Sequence, residues 1–145
     1  MASEPQTGSI IRTLAASKPG GRFLEIGTGT GIGTAWLLDG MDAGSQLDSM
    51  DNDPKALAVA PRQCDFIFAD TWPGKFTDLD LALSLLRRGG IYLVDDLLPQ
   101  PNWPKEHAPK VPALIAQLDS QGEFVATKLA WASGLTILVR TRMAG

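Results

Sequence analysis

The sequence predicts an α/β fold with a doubly wound, mostly parallel sheet and a C-terminal antiparallel hairpin. Three observations predict it. Short apolar runs (Phe23 to Ile26, Phe66 to Phe68, Ile91 to Val94) alternate with stretches of helical spacing, the pattern of parallel strands covered by helices on both faces. The first run opens into a glycine loop, Gly27-Thr28-Gly29-Thr30-Gly31, ahead of a helical stretch. The last two apolar stretches, Phe124 to Trp131 and Leu135 to Arg140, are joined by Ala132-Ser133-Gly134, which reads as a hairpin.

Along the chain, Ile10, Ile11, Leu14 and Ala15 give helical spacing over Thr7 to Ser17, and Pro19-Gly20-Gly21 ends that helix. Arg22 to Ile26 is the first strand. Gly33 to Gly40 reads as a helix with Trp36, Leu37 and Leu38 facing inward. Gln46 to Met50 is a weaker strand, diluted by Asp48 and Ser49. Asp53 suits the N-cap and Pro54 the first turn of a short helix over Lys55 to Ala60. Asp65 to Ala69 is a strong strand. Thr77 to Arg87 reads as an amphipathic helix, with Arg87-Arg88 at its C-terminus and Gly89-Gly90 as its stop. Ile91 to Val94 is an apolar strand. A proline-rich stretch from Leu97 to Pro112 precedes a helix over Val111 to Gln121.

A chain of 145 residues is expected to form one domain over 1–145 with a proper core. Its 44% hydrophobic and 20% charged residues fit an ordinary globular protein. A net charge of −3 leaves no footprint for a polyanion, so no nucleic-acid partner is expected. No apolar run approaches membrane-spanning length and no signal segment is visible, so the expected location is cytoplasmic, away from membranes. The one cysteine, Cys64, is expected to be a buried, inert thiol.

Ligands of open α/β sheets bind beyond the carboxyl ends of the strands. Asp51, Asp70 and the pair Asp95-Asp96 end three of the strands there, so they converge with the glycine loop. Asp51 stands about 20 residues past the loop, where a carboxylate accepts hydrogen bonds from both hydroxyls of a ribose; capping a helix is the other role open to it. The dinucleotide fingerprint G-x-G-x-x-G does not fit, because its third glycine would fall at Ile32. Instead Glu25 precedes the loop in an E-x-G-x-G-x-G pattern. Trp72 and Trp103 follow two of these strand ends, either as walls of an acceptor pocket or as ordinary loop packing. The lone histidine, His107, is either a second base candidate or plain surface.

The residues Leu24-Glu25-Ile26-Gly27-Thr28-Gly29-Thr30-Gly31, Asp51, Phe68-Ala69-Asp70 with Lys75, Gly89-Gly90-Ile91 and Val94-Asp95-Asp96-Leu97-Leu98 resemble the class I S-adenosylmethionine-dependent methyltransferases, with their Rossmann-like sheet. The resemblance is to the small-molecule O-methyltransferases, the catechol-type group, and covers about Gly8 to Arg140. It implies that Glu25, Gly27, Thr28, Gly29, Gly31, Asp51, Asn52 and Asp70 bind S-adenosylmethionine. It also implies that Asp70, with His107 as second candidate, deprotonates a small-molecule hydroxyl. Metal-dependent members bind a divalent cation such as magnesium at an Asp and an Asp-Asn pair. Asp70, Asp95 and Asp96 match those positions, with Asp96 in place of the Asn.

One departure from the family stands out. Its members carry a longer helix, another strand and an acidic adenine-contacting loop where this chain passes directly from Ala60 to Pro61. The sheet is therefore expected to lack one edge strand, and a homodimer that covers the exposed second strand is a hypothesis. Competing readings are a non-catalytic methyltransferase-fold binding protein, a nicotinamide-dependent oxidoreductase and a nucleic-acid methyltransferase. The glycine spacing and Glu25 oppose the oxidoreductase. Asp70-Thr71-Trp72-Pro73 does not match the base-holding motif of the nucleic-acid enzymes.

Overall fold

Successive residues of the central strands point to opposite faces of one sheet, and both faces are apolar. Phe23, Phe66 and Phe68 join Ile11, Ala15, Leu37, Ile91 and Leu93 on one side. Leu24, Ile26, Ile67 and Ala69 join Leu57, Leu79, Leu83, Tyr92, Val94, Leu114 and Leu118 on the other. A strand apolar on both faces is stable only when helices cover both, which is the origin of the doubly wound arrangement.

The computed structural model describes residues 5–51, 53–70, 78–95, 97, 105–106, 108–132 and 134–143. Its elements are α1 (Pro5–Ala16), β1 (Arg22–Ile26), α2 (Ile32–Gly40), β2 (Gln46–Met50), α3 (Pro54–Ala58), β3 (Cys64–Ala69), α4 (Leu79–Ser84), β4 (Leu86–Val94), α5 (Val111–Asp119), β5 (Phe124–Leu129) and β6 (Leu135–Arg140). The sheet has six strands in the order β2-β1-β3-β4-β6-β5. β1 pairs in parallel with β2 and β3, and β3 with β4. β6 is antiparallel to both β4 and β5, so the expected terminal hairpin forms. Among the described residues nothing pairs with the outer edge of β2. No described helix is long and apolar enough to cross a membrane.

α1 and α2 meet through glycines. A Cβ on Gly40 would stand 2.2 Å from the Arg12 carbonyl oxygen, and one on Gly8 would stand 2.2 Å from the Trp36 ring. The two helices approach this closely only because both side chains are missing. On the other face, Arg140 is 5% exposed yet fully engaged. Its Nη1 donates to the Leu83 and Leu86 carbonyls at 3.0 and 3.3 Å. Its Nη2 pairs with Glu123 at 3.0 Å, and its guanidinium lies over the Phe124 ring. One side chain thus binds carbonyls on both sides of the α4–β4 junction and ties β6 to it.

Three local expectations are corrected. The helix expected over Thr77 to Arg87 ends at Ser84, and Leu86 opens β4, so Arg87, Arg88, Gly89 and Gly90 lie in a strand. β3 captures this segment: the Cys64 N–H donates to the Leu85 carbonyl at 2.7 Å, and Arg87 pairs with Asp65 at 3.2 Å. Gly89, at φ 82, and a register shift between Cys64 and Phe66 absorb the irregularity. The helix expected over Lys55 to Ala60 covers Pro54–Ala58. Leu38, expected inward, is 56% exposed, because α2 turns Leu37 and not Leu38 to the sheet.

Candidate active site

The strand order reverses at β1, which has β2 on one side and β3 on the other. A parallel sheet opens a crevice at such a point, just past its carboxyl ends. β1 runs into the glycine loop there. Gly27, Gly29 and Gly31 adopt φ of 108, 51 and 87°, a region where side chains are strained. A Cβ on Gly29 or Gly31 would meet no atom within 4 Å, so the loop faces open space. Its base is fixed: the Gly27 and Thr28 N–H groups donate to the Met50 carbonyl at 2.8 and 3.3 Å.

Beneath the loop lies Glu25, fully buried. Ser49, its register partner on β2, donates to Oε1 at 2.7 Å. Thr34, from the first turn of α2, donates to the same oxygen. The Thr28 and Ser49 hydroxyls lie 2.6 Å apart and extend the chain into the loop. Oε2 is buried, with no hydrogen-bond partner among the described residues. Burial raises the carboxyl pKa above its ordinary value; the Thr34 and Ser49 bonds oppose this, and the nearby Asp70 charge adds to it.

The described carboxylates sit on this same rim. Asp51 follows β2 and is exposed. Asp70 follows β3, and its N–H donates to the Ile26 carbonyl at 2.8 Å, which sets it beside Gly27. Asp95 follows β4 and is buried. Pairing of Ala69 with Val94 makes Asp70 and Asp95 neighbours across adjacent strand ends. Asp53 caps α3 by accepting from the Lys55 N–H at 3.0 Å. Asn52, Asp96 and His107 lie outside the described residues, as do Trp72, Lys75 and Trp103. Among the described residues no group of three His, Cys, Asp or Glu forms a metal cluster.

Sequence reasoning missed Ser49 and Thr34. The signal for Ser49 was present, since a polar residue interrupting a strand beside a buried acid is a candidate hydrogen-bond partner. Cys64 is buried, with its thiol pushed up to about 11 by burial, as an inert core thiol requires. Near Asp95, Leu97, Ile115, Leu129 and Leu135 line an apolar pocket of about 130 Å³.

No family model matches the chain. Over 56 residues it is 38% identical to a protein of Mycobacterium ulcerans named "Putative O-methyltransferase". That match covers 39% of this chain and 25% of the relative, so the shared segment spans only about a quarter of the length of that relative. A crystal structure of a Corynebacterium glutamicum protein is similar with a TM-score of 0.82 at 18% identity, covering 99% of this chain and 84% of that one. The O-methyltransferase TomG of Streptomyces achromogenes, solved in complex with SAM, gives 0.80 at 19% identity, over 97% and 82%. The chain thus shares the fold of these solved structures, the SAM-bound O-methyltransferase among them.

Proposed function

We propose that the chain is an S-adenosylmethionine-dependent O-methyltransferase acting on a small-molecule hydroxyl, in one domain over residues 1–145. The observation that carries this reading is the meeting of Glu25, Asp51 and Asp70 with an open, glycine-rich loop where the strand order reverses. The sequence similarity to a named O-methyltransferase and the fold shared with a SAM-bound one point the same way.

The residues fit the cofactor. Open space over Gly29 and Gly31 accepts a ligand against bare backbone. Glu25 Oε2, which has no donor among the described residues, is an acceptor that a ligand ammonium group satisfies. Asp51 accepts from ribose hydroxyls, with Asn52 beside it; Gly27, Thr28 and Gly31 shape the cradle. Bound S-adenosylmethionine supplies an electrophilic methyl group.

Asp70 takes the hydroxyl proton of the acceptor as its oxygen attacks, with His107 as the alternative base. The remainder is placement, since an in-line displacement is accelerated by holding oxygen and methyl in contact distance. Asp70, Asp95 and Asp96 are proposed to hold a divalent cation. Two carboxylates side by side on paired strand ends are hard oxygen donors suited to magnesium, which would lower the acceptor hydroxyl pKa. The exposed β2 edge favours a homodimer, and the single buried cysteine fits a cytoplasmic setting.

The test is transfer of labelled methyl from S-adenosylmethionine to 3,4-dihydroxybenzoate, with magnesium and with chelator. Labelled product that Asp70→Asn abolishes supports the reading; none with any of a panel of hydroxylated aromatics opposes it. A second reading, a non-catalytic binding protein of this fold, is favoured by one observation: α3 ends at Ala58 and β3 begins at Cys64, leaving β2 as the edge. Cofactor binding without transfer distinguishes it.

A further inference from the structure

We propose that the opposite, amino-terminal rim of the sheet carries a second binding site, for a small multiply charged anion of the phosphate class. A groove of about 530 Å³ opens there, larger than the pocket near Asp95. The starts of β1, β2, β3 and β4 line it with Arg22, Gln46, Gln63, Asp65 and Arg87, and Arg62 reaches it from the α3–β3 connection. Three guanidinium groups thus face one carboxylate in a chain whose net charge is −3.

The opposing charge is already engaged. Asp65 Oδ1 takes Arg87 Nε at 3.2 Å, and Oδ2 accepts the Arg22 N–H at 2.8 Å. Arg87 Nε also donates to the Gln63 carbonyl at 3.2 Å, which leaves both Nη groups of that arginine to the groove. Gln46 Oε1 accepts from Arg22 Nη2 at 3.4 Å, holding that guanidinium against the wall. Arg62 is exposed and makes no side-chain hydrogen bond or ion pair among the described residues. Two guanidinium groups pre-positioned by protein contacts and a third left unpaired form a fork-like donor set that matches phosphate oxygens. Gln63 is held at φ 61, a strained conformation of the kind that gathers at ligand sites. The carboxylate-lined rim beyond the other ends of the strands repels such an anion, so the two sites select different ligands.

Amide NMR shifts are followed while inorganic pyrophosphate is titrated into the whole chain at low ionic strength. The expected result is saturable submillimolar binding with shifts at Gly20, Gly21, Gly44 and Gln63. Arg62→Ala weakens it by about tenfold with unchanged Tm, since Arg62 has no partner among the described residues to lose. Lys128→Ala, on β5, leaves it unchanged. Shifts confined to Gly27–Gly31, no saturable shift, or binding indifferent to Arg62→Ala overturns the proposal.

Discussion

Glu25 and Ser49 face each other across the paired strands β1 and β2, and the serine hydroxyl donates to the carboxylate at 2.7 Å. A side chain that weakens β2 as a strand sequence thereby secures the buried acid under the glycine loop. The pair links the sheet edge to the loop, because Ser49 also touches the Thr28 hydroxyl.

A pH dependence follows. Burial lifts the Glu25 pKa above its ordinary 4.5. The folded chain then binds this proton more tightly than the unfolded chain does. That contribution to stability is full below the unfolded-state value and is lost as pH rises through the folded one. Glu25→Gln keeps the acceptor oxygen and removes the titration. Its Tm relative to the parent should rise from pH 4 to pH 8; a constant difference across that range would contradict the burial account.

Asp51→Ala should weaken S-adenosylhomocysteine binding by ~1–3 kcal/mol, since it removes a charged hydrogen-bond acceptor. Asp51 is exposed and takes no part in the core, so thermal stability should stay within about 0.5 kcal/mol of the parent. Calorimetry and a melting curve check the two halves separately. Unchanged affinity removes Asp51 from the site.

Much of this fold was legible because β1 and β3 are apolar on both faces. Phe23 to Ile26 and Phe66 to Phe68 admit little other than buried parallel strands. The carboxylate-bearing strand ends followed from that, as did their shared rim. β4 was only half legible. Arg87-Arg88-Gly89-Gly90 has the composition of a helix stop, and only the tertiary capture by Cys64 and Asp65 makes it strand. Ser49 showed in the sequence only as a polar break in a strand and Thr34 not at all, because their roles depend on the β1–β2 register and on where α2 begins. The basic groove likewise arises from strand starts distant in sequence.

Gly40→Ala should destabilise the fold by ~1–3 kcal/mol. Its new Cβ would stand 2.2 Å from backbone, the Arg12 carbonyl, which has no side-chain freedom to yield. Urea unfolding measures this; a cost below that of an ordinary surface substitution would show that α1 and α2 slide apart freely.

Arg140→Met should cost ~2–4 kcal/mol. It keeps much of the packing on Phe124 but leaves the Leu83 and Leu86 carbonyls and Glu123 without their donor. Denaturant melts at neutral pH read this cost, and equal stability of parent and variant would contradict the clamp.

The most direct test of the central claim is calorimetric titration of the purified chain with S-adenosylhomocysteine, with and without magnesium. One site per chain is expected, with a dissociation constant near the micromolar range, about −8 kcal/mol, weakened by Asp51→Ala. Absence of binding in both conditions would contradict it, and would mean that the meeting of Glu25, Asp51 and Asp70 with the glycine loop does not make a cofactor site.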